Sequence, residues 1–142
     1  MLVDRIVITY KLLESLKKIA DKAYPNEACA LLAGSIEVHG SSYTYRIIQI
    51  IEVENSDRSS ISFSIRDEDL ISAYEIMSRS NLELVGIFHT HPFSNAYPSG
   101  KDLRYMQINP VPWIILGEDG EMRAFIIDEG KGVKELMLSL SD

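Results

Sequence analysis

A chain of 142 residues with 46% hydrophobic side chains can bury a core of its own, and residues 1–142 read as a single domain. Its formal net charge of -7, with 14 scattered basic residues, argues against nucleic acid as a partner, because a phosphate backbone is held by clustered Lys and Arg. With no run near about 18 apolar residues, and with Asp4 and Arg5 close to the start, the expectation is no membrane span, no secretory signal and a cytoplasmic location, which the single Cys29 fits.

The run Leu2 to Ile8 is short and β-branched, which predicts a strand. Leu12, Leu13, Leu16, Ile19, Ala20 and Ala23 then recur at three- and four-residue steps, the mark of an amphipathic helix. Tyr24-Pro25-Asn26 breaks it, because proline lacks a donor and pushes the preceding residue out of the helical region. Glu27 follows at once, and the apolar stretch Ala28 to Ala33 predicts a buried strand ending at Gly34. A turn at His39-Gly40 leads to a longer strand, Tyr43 to Val53. Ser56 to Ser60 is turn-like, Phe63 begins a short extended piece, and Asp67 to Ser80 is helical with Leu70, Ile71, Tyr74 and Met77 on one face. Leu82 to His89 is a strand, Pro92 to Pro98 a loop, and Ser99 the N-cap of a helix reaching about Gln107. Strands at Trp113–Leu116, Glu121–Ile127 and Val133–Leu140 complete an α/β chain, with a mixed β-sheet flanked by helices.

Chemistry concentrates in His89-Thr90-His91. Residues i and i+2 of a strand point to one face about 6.6 Å apart, so the two imidazoles can converge on one ion while Thr90 points away. Asp102, on the first turn of the next helix, can aim a carboxylate at the same point. Two histidines and one carboxylate leave one tetrahedral position of Zn2+ free for water, which is how a catalytic rather than a structural zinc is held. The same donors accept Fe(II), Mn(II) or Co(II), so zinc is preferred on geometry and abundance. Glu27, beside a buried strand where an unengaged carboxylate is costly, is the candidate general base. Ser99 is the candidate donor to an oxyanion.

Each of these residues also has an ordinary reading. Ser99 and Asp102 can be the N-cap and third residue of a helix, Glu27 a solvated helix-end carboxylate, Cys29 a small buried hydrophobe, and His39 an exposed turn residue. A thiol hydrolase built on Cys29 is the weaker enzymatic alternative, since nothing else in the pattern requires the thiol.

The joint pattern is more specific: Glu27, then His89-x-His91, seven residues, Ser99-x-x-Asp102. It resembles the motif of the JAMM metalloproteases, the MPN-plus domain family. Pro25 to Gly34 and Val85 to Pro92 resemble that family's two motif segments. The resemblance implies a cytidine-deaminase-like fold and one zinc held by His89, His91 and Asp102, with Glu27 as base and Ser99 as oxyanion donor. It also implies hydrolysis of the isopeptide or peptide bond after the C-terminal glycines of a ubiquitin-like modifier. The modifier or its conjugates would then be the partner, and a homodimer is left open. The short segments Glu52 to Phe63 and Asp102 to Trp113 leave no room for the long insertions of eukaryotic deubiquitinases, so the chain resembles the compact prokaryotic and archaeal members. Processing of a sulfur-carrier protein or another peptide is the alternative reaction, and a non-catalytic MPN scaffold the alternative class, which a complete ligand set argues against.

Overall fold

The computed structural model describes residues 2–142. In chain order these form β1 (Leu2–Thr9), α1 (Tyr10–Ala23), β2 (Cys29–His39), β3 (Ser42–Val53), α2 (Asp67–Arg79), β4 (Glu83–Thr90), α3 (Gly100–Ile108), β5 (Trp113–Leu116), β6 (Met122–Asp128) and β7 (Gly132–Ser141). The order is the one that the hydrophobic periodicity predicts. Helix α1 starts earlier than its apolar stripe because Thr9 caps it, its Oγ1 accepting from the Leu12 N–H at 3.1 Å. The piece beginning at Phe63 is not part of any ladder.

Two features depart from the sequence reading. Strand β2 does not stop at Gly34 but runs through it to His39, pairing with β3 on one side and β4 on the other. The register slips at Ala33/Gly34, and a Cβ on Gly34 would collide with the Arg46 carbonyl, so glycine permits a close crossing rather than ending the strand. The second departure is closure. The sheet runs β1-β3-β2-β4-β5-β6-β7 and returns to its start, because β1 pairs in parallel with both β3 and β7.

Closure gives the sheet an inside and an outside, and strict alternation assigns side chains to each. All seven strands send residues into one cluster, among them Ile6, Leu32, Ile47, Phe88, Ile114, Ala124 and Leu136, joined by Leu16 of α1. The other parity of β2, β4 and β5, with Leu31, Ile87 and Trp113, packs outward against Ala73 and Met77 of α2 and Met106 of α3. Helices therefore cover both faces where β2 and β4 run side by side, which explains why Ala28 to Ala33 is apolar at every position. His89 shares the outward parity of Ile87 and so faces α3, whereas Thr90 faces the α1 side.

Candidate functional site

Three elements bring the five sequence-selected residues to one end of the barrel. Strand β4 delivers His89, fully buried, and His91 follows just beyond its last residue, its N–H held by the Leu116 carbonyl at 2.8 Å. Cys29 pairs with His89 across β2 and β4, and Thr90 bonds Ala28 through both its N–H (3.2 Å) and its Oγ1 (2.8 Å). That register sets Glu27 opposite His91. Helix α3 supplies the rest: Ser99 is its N-cap and Asp102 its third residue.

The three candidate ligand atoms form a tight triangle. Asp102 Oδ2 lies 3.1 Å from His89 Nε2 and 2.9 Å from His91 Nε2, and the two imidazole nitrogens are 3.1 Å apart. Tetrahedral zinc with bonds of about 2.0–2.1 Å has ligand–ligand edges of about 3.3 Å, so the triangle has nearly the size of one tetrahedral face. Protonation chemistry points the same way. His91 Nδ1 lies 2.8 Å from the Asn95 carbonyl, which accepts only, so Nδ1 carries the proton and neutral His91 presents a bare Nε2. That lone pair faces a carboxylate oxygen at 2.9 Å, an arrangement that a cation between them turns from repulsive to attractive. The residues present fit a zinc ion, and His89, His91 and Asp102 are the group that could hold it.

Electrostatics prepare the donors for a metal. Burial alone pushes the Asp102 carboxyl up, but in the metal-free protein imidazoles that carry a proton on the nitrogen facing it, together with the Ser99 N–H, overcome burial and hold the acid well below the usual carboxylate range. Burial keeps His89 below the ordinary imidazole range against the pull of Asp102. Burial also pulls His91 down, but Asp102, the Asn95 carbonyl and Glu27 outweigh it, so zinc competes with a proton at that ring. Phe63 and Trp113 flank the His89 ring at 4.9 and 5.6 Å and fix its orientation by packing.

Glu27 is 5% exposed, and its Oε1 has no hydrogen-bond partner among the described residues. Burial, opposed by His91 and reinforced by Asp102, raises its carboxyl to about 7. Its backbone is pinned instead: the N–H donates to the Ser59 carbonyl at 2.7 Å and the carbonyl accepts from Asn55 Nδ2 at 3.0 Å. Asn55 stands just before the turn-like stretch Ser56 to Ser60, and nothing in the sequence singles it out. It is buried, donates also to the Ser62 carbonyl and accepts from the Asp57 and Ser64 N–H groups, clamping residues 55–64 against the site.

The two readings of Ser99 and Asp102 turn out to be compatible. Ser99 Oγ accepts from the Asp102 N–H at 3.1 Å and Asp102 Oδ2 accepts from the Ser99 N–H at 2.9 Å, a complete capping box, while that same Oδ2 faces both histidines. The Ser99 hydroxyl is exposed and its own proton remains free to donate. Cys29 is buried, and burial together with the Glu27 charge pushes its thiol up to about 12, which leaves the thiol-hydrolase reading without a thiolate. His39 is exposed and stands near Glu37, away from the site.

Residues 9–128 match the model of a family described as prokaryotic homologs of the JAB domain. The chain is 35% identical over 108 residues to a desampylase of Pyrococcus furiosus, covering 75% of this chain and 77% of that protein. It is 31% identical over 128 residues to a probable TtuB-protein conjugate cleaving protease of Thermus thermophilus, covering 89% and 79% of the two. The solution structure of a Desulfitobacterium hafniense protein superposes with a TM-score of 0.83 at 28% identity, covering 96% of this chain and 93% of that one.

Proposed function

This chain belongs to the family of prokaryotic homologs of the JAB domain, the prokaryotic JAMM proteins, and on that premise we propose that it is a zinc-dependent isopeptidase. Its reaction is hydrolysis of the bond after the C-terminal glycines of a ubiquitin-like modifier. The observation that carries the proposal is the buried triangle of His89, His91 and Asp102 beside an unpartnered Glu27 carboxylate. A structural carboxylate so deeply buried would be expected to have a partner, whereas one that must accept and release a proton is best left free. The finer fold assignment, a cytidine-deaminase-like core, is proposed with it and is supported by helices lying on both faces of the mixed sheet.

His89, His91 and Asp102 hold the zinc in this proposal. Bound zinc supplies Lewis acidity, lowering the pKa of water toward about 7 and polarising the scissile carbonyl. Glu27 accepts a proton from the attacking water and delivers it to the departing amine. Burial, which raises this carboxyl above the ordinary range in the metal-free protein, favours return of the proton to the amine, where a fully solvated carboxyl is a poor acid. Ser99 Oγ is held by the Asp102 N–H with its proton pointing elsewhere, and donates to the oxygen that becomes negative as water adds.

The segment beside Glu27 suits an extended tail. Ser62 and Ser64 bond toward Asn55 and Ser56, whereas no hydrogen bond among the described residues engages the N–H or C=O of Phe63. Phe63 itself is buried against His89, and in this proposal its unengaged peptide group is where a modifier tail adds as a strand. The proposal is tested by incubating zinc-loaded protein with a panel of ubiquitin-like modifiers, each joined to a lysine. Cleavage after the terminal glycine, abolished by a chelator and restored by zinc, is the expected result. Failure to cut any conjugate while retaining one equivalent of zinc would overturn it.

A further inference from the structure

An isopeptidase must also accommodate what leaves. At the β4 end, the Phe63 edge lies on the outward side with His89, whereas the α1 side holds a separate cleft of about 250 Å³ reached by Thr90 and His91. Tyr24, three residues before Glu27, lines it, and Phe93, two residues after His91, packs on Tyr24 with ring centroids 5.7 Å apart. They are 60% and 54% exposed. Two large aromatic rings left in water on the two loops that flank the reacting groups are placed to touch a substrate rather than to stabilise a core. Asp21 and Glu118 line the same cleft, and no Lys or Arg among the described residues does. Negative charge combined with aromatic faces suits a cation on an apolar stem.

We propose that this cleft is the subsite for the leaving-group side, and that its occupant is a lysine-bearing, basic stretch of the conjugated protein. The inference rests on the isopeptidase reading, since a tail entering along Phe63 and cut beside Glu27 continues past Tyr24 and Phe93. It deepens that reading by favouring conjugates over modifiers extended by neutral or acidic residues.

The test uses two conjugates of one modifier, each attached to the lysine of a short peptide whose flanking residues are basic in one and acidic in the other. Zinc-loaded wild-type protein is expected to favour the basic conjugate by about tenfold in kcat/KM, the size that a cation–π contact and two exposed charge pairs supply together. The double variant Asp21→Lys/Glu118→Lys should abolish or invert that ratio, and Tyr24→Ala/Phe93→Ala should bring it toward one. A wild-type ratio near one, or a ratio indifferent to charge reversal, overturns the proposal. NMR titration of the zinc-loaded chain with the free basic peptide judges the cleft apart from catalysis. Shifts at Asp21, Tyr24, Phe93 and Glu118 that the acidic peptide does not produce support the subsite, and equal or absent shifts overturn it. The modifier is one that the zinc-loaded protein cuts in the panel above; if that panel yields no cleavage the isopeptidase reading falls, and the titration still decides whether the cleft binds basic peptide.

Discussion

Replacing Glu27 with Gln separates what the carboxylate does for the reaction from what it costs the fold. In the metal-free protein burial raises this group from 4.5 to about 7. At about 1.4 kcal/mol per unit, ionised Glu27 destabilises the folded chain by up to roughly 3 kcal/mol. A carboxyl whose pKa rises on folding binds extra protons in the folded state. Its contribution is therefore favourable below the unfolded value and is lost as the pH passes from 4.5 through about 7. Gln does not titrate. Urea denaturation of the chelated protein should therefore show Glu27→Gln and wild type converging near pH 4, with the variant gaining progressively and more stable by about 2–3 kcal/mol at pH 8. The same substitution should leave one equivalent of zinc bound, since Glu27 is not among the three proposed ligands, and should reduce conjugate cleavage by about 10²–10⁴-fold. A stability difference that does not change with pH would refute the argument from burial. Wild-type cleavage by the variant would refute the role of base.

Three further outcomes follow from the geometry. Ser99→Ala should lose about 10²–10³-fold in kcat with zinc retained, and about 1 kcal/mol of stability from the lost cap, measured by single-turnover cleavage and by denaturation. Gly117→Ala places a Cβ 2.6 Å from the Ala96 nitrogen, displacing the loop whose Asn95 carbonyl orients His91, and should weaken zinc binding by roughly 10–100-fold in competition with a chromophoric chelator. Unchanged affinity there would show that Asn95 does not position the ring. Cys29→Ser should cleave at close to the wild-type rate while chelation still abolishes activity, because the thiol is buried and protonated.

The element order was legible because each segment carries its own period: three- and four-residue steps in α1 and α2, and unbroken apolar runs where β2 and β4 are covered on both faces. What escaped was non-local. Closure depends on β1 and β7 pairing across nearly the whole chain, and neither strand bears a mark of its neighbour. Gly34 read as a terminator because a glycine that ends a strand and one that admits a crossing carbonyl look alike until the partner strand is known. At the site, strand parity and helix position indicate that His89, His91 and Asp102 can meet, and the structure brings them together, whereas Glu27 stood out by its place before a buried strand and by the family motif. Asn55 gave no such signal, since an asparagine after a strand looks like any turn residue until four backbone groups converge on it. Capping and metal binding seemed rival explanations of Ser99 and Asp102, yet a carboxylate oxygen has lone pairs enough for both.

Barrel closure has a bearing on how this molecule meets other polypeptides. Open sheets present rows of unsatisfied peptide groups that recruit stray strands and promote aggregation. Here the outermost strands of the sheet, β1 and β7, satisfy one another. Among the described residues, an unfolded chain drifting past the barrel strands encounters little to zip onto, and the stretch proposed for the modifier tail is the exception. Closure thus disfavours unwanted strand pairing over the barrel, and the proposed tail-binding stretch would confine backbone capture to the neighbourhood of the proposed base.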